Sequence, residues 1–496
     1  MISGVLLVLA FPQVSWGLVG FVALIPLFIT LNEGRRPARW TRAFLKGYLF
    51  GLTFFTGLLF WVVHVTVLGT LLLIPYVALY PGAFAVFADL VNRRTNIPFS
   101  LSTSLLWTAY EFIRTRGFLG FPWGNIGYVV GFYPVLIQGA SYTSVLGISF
   151  WIVLVNGLIL ETLQARGWRR WVRLGWIVIL WVGSYGYGRG VLDHAAPSGR
   201  TVKVALVQGN IDQDVKWDQT FLNFSFEQYI ALTRSIPEKV DLIVWPETAA
   251  PTYLVKRPYY KELVADLAQE MDTPILTGAN DLEWVGENTY RVFNSAFLFD
   301  PHTEEIKKFD KIHLVPFGER MPLVDRFPFL ERVQLGQSNF TPGTERVLFQ
   351  IPKGRFPALI CFEAVFPDEV RAFVKEGADF LVNITNDAWF GRYSAPYQHA
   401  QMAVFRAVEN RISLARCANT GVSYLADPWG RIQQATKIFE DAMIVGEIPL
   451  REEESFYTRH GDVFPWVCFG LAVAMVGMAA VRRGDRAEGE HCQKQN

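Results

Sequence analysis

Phe356-Pro357-Ala358-Leu359-Ile360-Cys361-Phe362-Glu363 is a short apolar run that ends in a thiol, followed two residues later by a carboxylate. It reads as a buried strand delivering one cysteine to the edge of a sheet, with residues 364–376 as the turn and helix that follow. A strand end is a rigid mount for a nucleophile. A cysteine in an apolar segment is more often an inert small hydrophobe, so any chemistry has to come from partners elsewhere in the chain.

Two other stretches supply candidates. Leu242-Ile243-Val244-Trp245-Pro246-Glu247 repeats the pattern of an apolar strand that stops at a single acid. Lys311-Ile312-His313-Leu314-Val315-Pro316-Phe317-Gly318-Glu319 places a lysine just before an expected strand and turn. A thiolate is the working nucleophile and a free cysteine holds its proton at neutral pH, so it needs a base and a cation nearby. Glu247 is the candidate base and Lys311 the candidate cation. Taken singly, each reads as a solvated surface charge; the ordered set of Glu, Lys and Cys reads as a thiol acyl-transfer site. The Lys311 cation is expected to outweigh the apolar neighbours Leu359, Ile360 and Phe362 and lower the thiol pKa.

In that order, Trp-Pro-Glu at 245–247, Lys-x-x-Leu-Val-Pro-Phe-Gly-Glu at 311–319 and Ile-Cys-Phe-Glu at 360–363 resemble the nitrilase or carbon-nitrogen hydrolase superfamily. The flanking apolar sequence is most similar to its membrane-bound branch, the apolipoprotein N-acyltransferases. The resemblance implies a four-layer αββα sandwich and a Glu247-Lys311-Cys361 triad that needs no cofactor. A phospholipid would donate the acyl chain, and the α-amino group of a diacylglyceryl-modified N-terminal cysteine of an apolipoprotein would accept it. It also marks Asn294 as a position near the active site and places Glu319 and Glu363 beside the lysine and the cysteine, where a second carboxylate can orient the lysine or raise a neighbour's pKa. Phe362 stands where a tyrosine is expected, which leaves its backbone N–H rather than a hydroxyl. Residues 386–391 resemble a loop near the pocket. Trp217, on a loop after Gln208-Gly209-Asn210, reads equally as a lipid-facing anchor and as a packing residue.

Composition agrees with a membrane enzyme. Of 496 residues, 51% are hydrophobic, 15% aromatic and only 18% charged, too apolar for an ordinary soluble chain of this length. A net charge of +1 argues against a nucleic-acid binder. Cys361, Cys417, Cys468 and Cys492 show neither CxxC spacing nor a paired framework, so neither zinc nor a disulfide scaffold is indicated. His313 and His399 lack partners at metal-ligand spacing and read as core or surface histidines.

A bilayer crossing takes about 20 apolar residues. Apolar runs at 4–10 and 18–31 come first; the former is short unless residues 12–16 complete it. A signal peptide is a competing reading, but no basic n-region or cleavage site precedes the next span. Residues 47–91 make two spans turning between His64 and Pro75. A weaker candidate at 101–112 contains Glu111, and runs follow at 144–163, 174–187 and 464–481. The basic clusters Arg35/Arg36/Arg39/Arg42/Lys46, Arg93/Arg94, Arg166/Arg169/Arg170/Arg173 and Arg482/Arg483/Arg486 fall after alternate spans, and basic loops stay cytoplasmic.

The expected organisation is a polytopic α-helical membrane domain of about seven helices over 1–195, and an extracytoplasmic α/β nitrilase-like domain over 196–461. A last transmembrane helix at 462–483 and a cytoplasmic tail at 484–496 complete it. In the second domain, strands are expected at 202–208, 242–245, 275–278, 295–299, 358–361, 380–385, 412–418 and 423–426, alternating with helices at 221–235, 258–270, 367–376 and 396–409. Such alternation predicts helices covering sheets.

Two other functions fit parts of this pattern. One is a membrane-tethered amidase or nitrilase using the same triad with water as acceptor; a single anchor would suffice for it. The other is a transporter or scaffold, disfavoured by the intact triad and by Asp89 and Glu161 lying near span ends rather than along an ion path.

Overall fold

The computed structural model describes residues 1–32, 40–117, 119–195, 199–212, 219–287, 289–321, 324, 326–327 and 339–493. Trp217, Arg35, Arg36 and Arg39 lie outside the described residues. The chain divides into two compact units, one of Met1–Phe60, Thr70–Asp193 and Asp462–Asn496, the other of Trp61–Gly69 and His194–Gly461.

The first unit is helical. Among the described residues four helices are long and apolar enough to cross a membrane: Trp40–His64, Val67–Arg94, Ala140–Gln164 and Val463–Arg482. The run at 18–31 is broken into Gly17–Val19, Gly20–Ala23 and Ile25–Leu31. Buried side chains take the groups freed at those breaks: Asn156 Oδ1 accepts from Leu24 N–H at 2.9 Å and its Nδ2 donates to Gly20 O at 2.9 Å, while Ser3 Oγ accepts from Leu27 N–H at 2.9 Å. Without water to bind them, such groups must find partners inside the protein. Arg42 and Lys46, expected in a loop, instead lie in the helix Trp40–Leu59. Arg169, Arg170 and Arg173 lie in the helix Trp168–Asp193, which is therefore longer than the apolar run 174–187 that announced it. Arg169 and Arg170 are exposed there, and Arg173 pairs with Glu161 at 3.3 Å. Glu111, in the helix Phe99–Arg114, is fully buried and accepts from Trp107 Nε1–H and Ile126 N–H.

The second unit carries fourteen strands among the described residues: β1 (Thr201–Gln208), β2 (Leu242–Val244), β3 (Ala250–Tyr253), β4 (Ile275–Trp284), β5 (Tyr290–Phe299), β6 (Lys307–Asp310), β7 (Phe349–Ile351), β8 (Gly354–Phe356), β9 (Ala358–Ile360), β10 (Leu381–Thr385), β11 (Leu414–Ala418), β12 (Tyr424–Ala426), β13 (Ile432–Ala435) and β14 (Ala442–Pro449). They form a seven-stranded sheet, ordered β14-β1-β2-β4-β5-β6 with β3 paired to β4, and a five-stranded sheet, β13-β12-β11-β10-β9; β7 and β8 form a separate hairpin. β1, β2 and β4 are parallel, as are β9, β10 and β11. The all-apolar sequences of β2 and β9 follow from burial on both faces.

The sheets face one another, and the Cys417 thiol of β11 reaches Val207 O on β1 and Val244 O on β2. Helices Gln219–Arg234 and Pro258–Met271 cover the seven-stranded sheet, packing Leu222, Phe226, Tyr229, Val264 and Leu267 onto Ala205, Ile243 and Ile275. On the other sheet Tyr424 of β12 donates to Ala400 O in the helix Ala395–Asn410.

The strand expected after Lys311 lies before it. β6 ends at Asp310, and the chain then turns on itself, because Pro316 has no N–H and the Glu319 carboxylate collects the Val315 N–H at 2.8 Å. The donors of Val315, Phe317, Gly318 and Glu319 are thus met within the turn rather than on a ladder.

Candidate active site

Glu247 sits three residues beyond β2, on a turn whose next residue, Thr248, has φ +52°. A β-branched residue in the left-handed region is strained, and such strain gathers at functional sites. Gly278 of β4 permits the close approach, since a Cβ there would stand 2.6 Å from Glu247 Cα. Both carboxylate oxygens are bound: Asn294 Nδ2 donates to Oε1 and the Asn386 N–H to Oε2, each at 2.8 Å.

Lys311 follows β6 directly and is held against β5 by its N–H bond to Asn294 O at 2.8 Å. Its side chain is fully buried, with Nζ 2.8 Å from Glu319 Oε1 and 3.7 Å from Glu247 Oε1. Asn294 Nδ2 also reaches Glu319 Oε1 at 3.1 Å, so one amide ties the two carboxylates flanking the lysine. Burial alone would push the lysine pKa down; Glu319, Glu247 and Cys361 overcome it and hold the ammonium well above the ordinary lysine range.

Cys361 opens a single 3-10 turn, Cys361–Val365, directly after β9, and its φ is +52°. Two residues on, Glu363 turns back and gathers three backbone donors, Ile360 N–H at 2.8 Å, Ile312 N–H at 2.8 Å and His313 N–H at 3.2 Å. One carboxylate therefore ties the cysteine turn to the lysine segment. Burial pushes Glu363 up to about 7 against these bonds and the Lys311 charge.

The thiol pKa expectation is overturned. Burial raises the Cys361 thiol well above its usual value and Glu247 raises it further; Lys311 and a hydrogen bond with Thr385 oppose them without prevailing. The physical reason is charge balance. Lys311 already answers two carboxylates, so a thiolate would be a third anion in a closed site. The resting nucleophile is the thiol.

The structure thus brings Glu247, Lys311, Cys361, Asn294, Glu319 and Glu363 together. Phe362 directs its ring onto Phe366, leaving its backbone to the site. Trp389, from the 386–391 loop, lines a cavity of about 910 Å³ with Glu247, Asn294, Glu319, Arg291 and Arg320. Two contributors escaped the sequence reading: the Thr385 hydroxyl and His399, whose Nε2 lies 3.1 Å from Cys361 O. No spacing rule joins either to the cysteine. The Asn386 N–H comes from the 386–391 loop that the resemblance had placed near the pocket. His313 packs on Phe366, 4.1 Å between ring centroids.

A family model described as carbon-nitrogen hydrolase matches residues 203–457, and one described as apolipoprotein N-acyltransferase N-terminal domain matches residues 3–158. The apolipoprotein N-acyltransferase of Geobacter metallireducens is 40% identical over 504 residues, covering 97% of this chain and 95% of the relative. That of Chlorobaculum tepidum is 32% identical over 521 residues, covering 97% and 96%. That of Allorhizobium ampelinum is 33% identical over 510 residues, covering 95% and 93%.

Proposed function

Because the chain belongs to the apolipoprotein N-acyltransferase family of the carbon-nitrogen hydrolase superfamily, we propose that it moves an acyl chain from a phospholipid to the α-amino group of the diacylglyceryl-cysteine at an apolipoprotein N-terminus, through a thioester on Cys361. The observation that carries this reading is a buried cysteine in a left-handed turn, Cys361, in electrostatic contact with Glu247 and Lys311, whose own charges lie 3.7 Å apart.

Glu247 takes the thiol proton as Cys361 Sγ bonds to the ester carbonyl carbon. The negative charge that develops on the carbonyl oxygen is met by Lys311 Nζ and the Phe362 N–H. The intermediate collapses to a thioester, and the departing lysophospholipid oxygen recovers the proton from Glu247. The acceptor amine then attacks the thioester carbon, Glu247 takes a proton from the nitrogen, and the sulfur leaves with that proton. An α-amino group has a pKa near ~8, so a useful fraction is neutral and nucleophilic. Glu319 and Asn294 hold Lys311 and Glu247 in place, and Glu363 holds the two segments together.

Both substrates are lipids, in keeping with the apolar helices. The membrane parts are 1–195 and 462–483, with 484–496 a tail on the cytoplasmic side and 196–461 on the extracytoplasmic side of the cytoplasmic membrane; the alternation of basic clusters supports this orientation. A single cysteine at exposed Ser235 in a cysteine-free background should react with a membrane-impermeant thiol reagent on intact cells; reaction only after lysis overturns the orientation.

The chemistry is tested with the purified protein and a phospholipid carrying a labelled acyl chain. Label should accumulate on Cys361 without acceptor and pass to a diacylglyceryl lipopeptide when one is added. Release of free fatty acid at one rate with or without lipopeptide overturns the transfer reading.

A further inference from the structure

Behind the nucleophile lies a buried polar cluster that the reaction above leaves unused. His399 and Asp387 are at most 1% exposed, and Arg416 is fully buried. They come from separate elements: the helix Ala395–Asn410, the turn Asp387–Phe390 and β11. His399 Nε2 is 3.1 Å from Cys361 O, and its Nδ1 is 3.0 Å from Asp387 Oδ1 and 3.2 Å from Arg416 Nη2. Arg416 Nη2 also donates to Asp387 Oδ2 at 2.8 Å, its Nη1 to Asn383 Oδ1, and its Nε to Val422 O. Asn383 in turn donates to Leu359 O on β9 at 2.8 Å, so the cluster grips the strand that delivers the cysteine.

One proton can be assigned from its partner. A carbonyl only accepts, so the Nε2 facing Cys361 O carries hydrogen. Nδ1 lies between an acceptor, Asp387 Oδ1 at 3.0 Å, and a donor, Arg416 Nη2 at 3.2 Å, and these two fix the plane of the ring. Burial, then Arg416, push His399 down in the same direction, against Asp387 and the Cys361 carbonyl. Burial pushes Asp387 up, but Arg416 and His399 outweigh it and hold it charged.

What this ring holds is one end of a peptide group. A trans peptide is planar, and its C=O and N–H point in opposite directions. The carbonyl of Cys361 and the N–H of Phe362 belong to the same plane, and that N–H lies in the first turn of a helical segment, where amides have no intrahelical acceptor. Fixing the carbonyl therefore fixes where the N–H points. A donor on the carbonyl oxygen also polarises the amide and strengthens its N–H. Cys361, at φ +52°, is in a conformation that an L-residue keeps only when its surroundings impose it.

We propose that His399, seated by Arg416 and Asp387, is the positioning residue for the oxyanion donor: it holds the Cys361 carbonyl so that the Phe362 N–H of the same peptide aims at the reacting oxygen. The proposal rests on the thioester reading above. Its chemical corollary is selectivity between reactions of one sulfur. Acylation develops charge on an oxygen; alkylation by iodoacetamide displaces iodide and develops none there. A histidine that merely filled space would affect both alike.

The test uses the full-length purified protein and two rates at Cys361, acylation by a phospholipid with a labelled acyl chain and alkylation by iodoacetamide. His399→Leu should slow acylation about 10²-fold, the scale of losing an oxyanion donor, through kcat with the phospholipid KM unchanged, while alkylation stays within about twofold. His399→Gln, whose amide N–H reaches the place of Nε2–H, should recover most of the loss. If His399→Leu does not fold, His399→Asn replaces it, keeping an amide one methylene too short to reach Cys361 O. Parallel loss of acylation and alkylation, a Gln variant no better than Leu or Asn, or unchanged acylation overturns the proposal. Absence of an acyl-enzyme in the unsubstituted protein is a different failure: it removes the transferase reading itself.

Discussion

Two buried thiols of the same sheet invite comparison. Cys361 stands just past the end of β9 and Cys417 within β11, 8% and 0% exposed. Burial raises both thiols above their usual value, so titration alone does not mark the reactive one. Their partners do. Cys417 gives its S–H to two main-chain carbonyls, Val207 O at 3.4 Å and Val244 O at 3.2 Å, groups that cannot take a proton. Cys361 sits in a left-handed turn within reach of Glu247, which can, and of Lys311, which can answer the charge that follows. A buried thiol becomes a nucleophile through a neighbouring base rather than through a low resting pKa.

The strongest break in this contrast is removal of the sulfur. Cys361→Ala should lower acyl transfer by about 10⁴-fold or more, the scale seen when a covalent catalyst loses its nucleophile, and should form no labelled adduct in a phospholipid incubation. Retained transfer would move the chemistry off this thiol. Next in size is Glu247→Gln, for which a drop of about 10³-fold is expected at neutral pH, within the range of a general base. The sign of the pH effect is specific. Glu247 raises the thiol, so its removal lowers the Cys361 pKa; the variant's residual acylation should climb with pH as thiolate forms, whereas a purely structural Glu247 would leave the pH profile unchanged in shape.

Lys311→Met tests the cation. In the unsubstituted protein the iodoacetamide midpoint of Cys361 should lie above the ~8.5 of a free thiol, and this variant should shift it higher still, since Lys311 is an opposing, lowering influence. Acylation should fall about 10²-fold through the lost oxyanion partner. The variant should also be less stable by about 3–5 kcal/mol, because Glu319 and Glu247 are left buried without their cation. A midpoint indifferent to Lys311 would remove its electrostatic role. Below it ranks Glu363→Gln. One amide cannot accept from both the Ile360 N–H and the Ile312/His313 pair, so one donor is stranded, at about 1–3 kcal/mol. Acylation should fall about tenfold in step with a lower unfolding midpoint; a variant equal to the parent in both would mean that Glu363 does not join the two segments.

The sequence made some of this legible and hid the rest for physical reasons. Apolar runs that stop at an acid or a thiol are visible because strands buried on both faces carry little polarity until they end, which located β2, β9, Glu247 and Cys361. The alternation of strands and helices gave only helices covering sheets; the nitrilase-like fold of the C-terminal half came from the resemblance of the three motifs. β6 and β14 were not visible. Lys307-Lys308 and Gly446-Glu447 give them mixed polarity, and they become strands through partners far away, as when Thr201 pairs with Pro449. The sign of the Cys361 shift was misread because Lys311 and the apolar neighbours appear in the motifs, while the depth of burial, which is the largest cause of the shift, appears only in three dimensions. Asp387, His399 and Arg416 share no spacing signature, so only the fold assembles them.

The smallest expected effect lies at Cys417 and closes the comparison. Cys417→Ser keeps a small side chain with a hydrogen to give, and the two carbonyls of Val207 and Val244 remain as acceptors. A hydroxyl prefers shorter bonds than the 3.2–3.4 Å now spanned by sulfur, so the fit loosens slightly, and a loss of about 1 kcal/mol is expected. Acyl transfer should stay within about twofold, because no proton of Cys417 is part of the reaction. In the unsubstituted protein Cys417 should remain unalkylated by iodoacetamide up to the pH at which the fold opens, while Cys361 reacts on its own rising curve. Equal alkylation of the two thiols in folded protein would show that access, rather than the neighbouring base, sets their difference, and a Cys417→Ser variant with acylation lost but folding intact would place Cys417 in the chemistry.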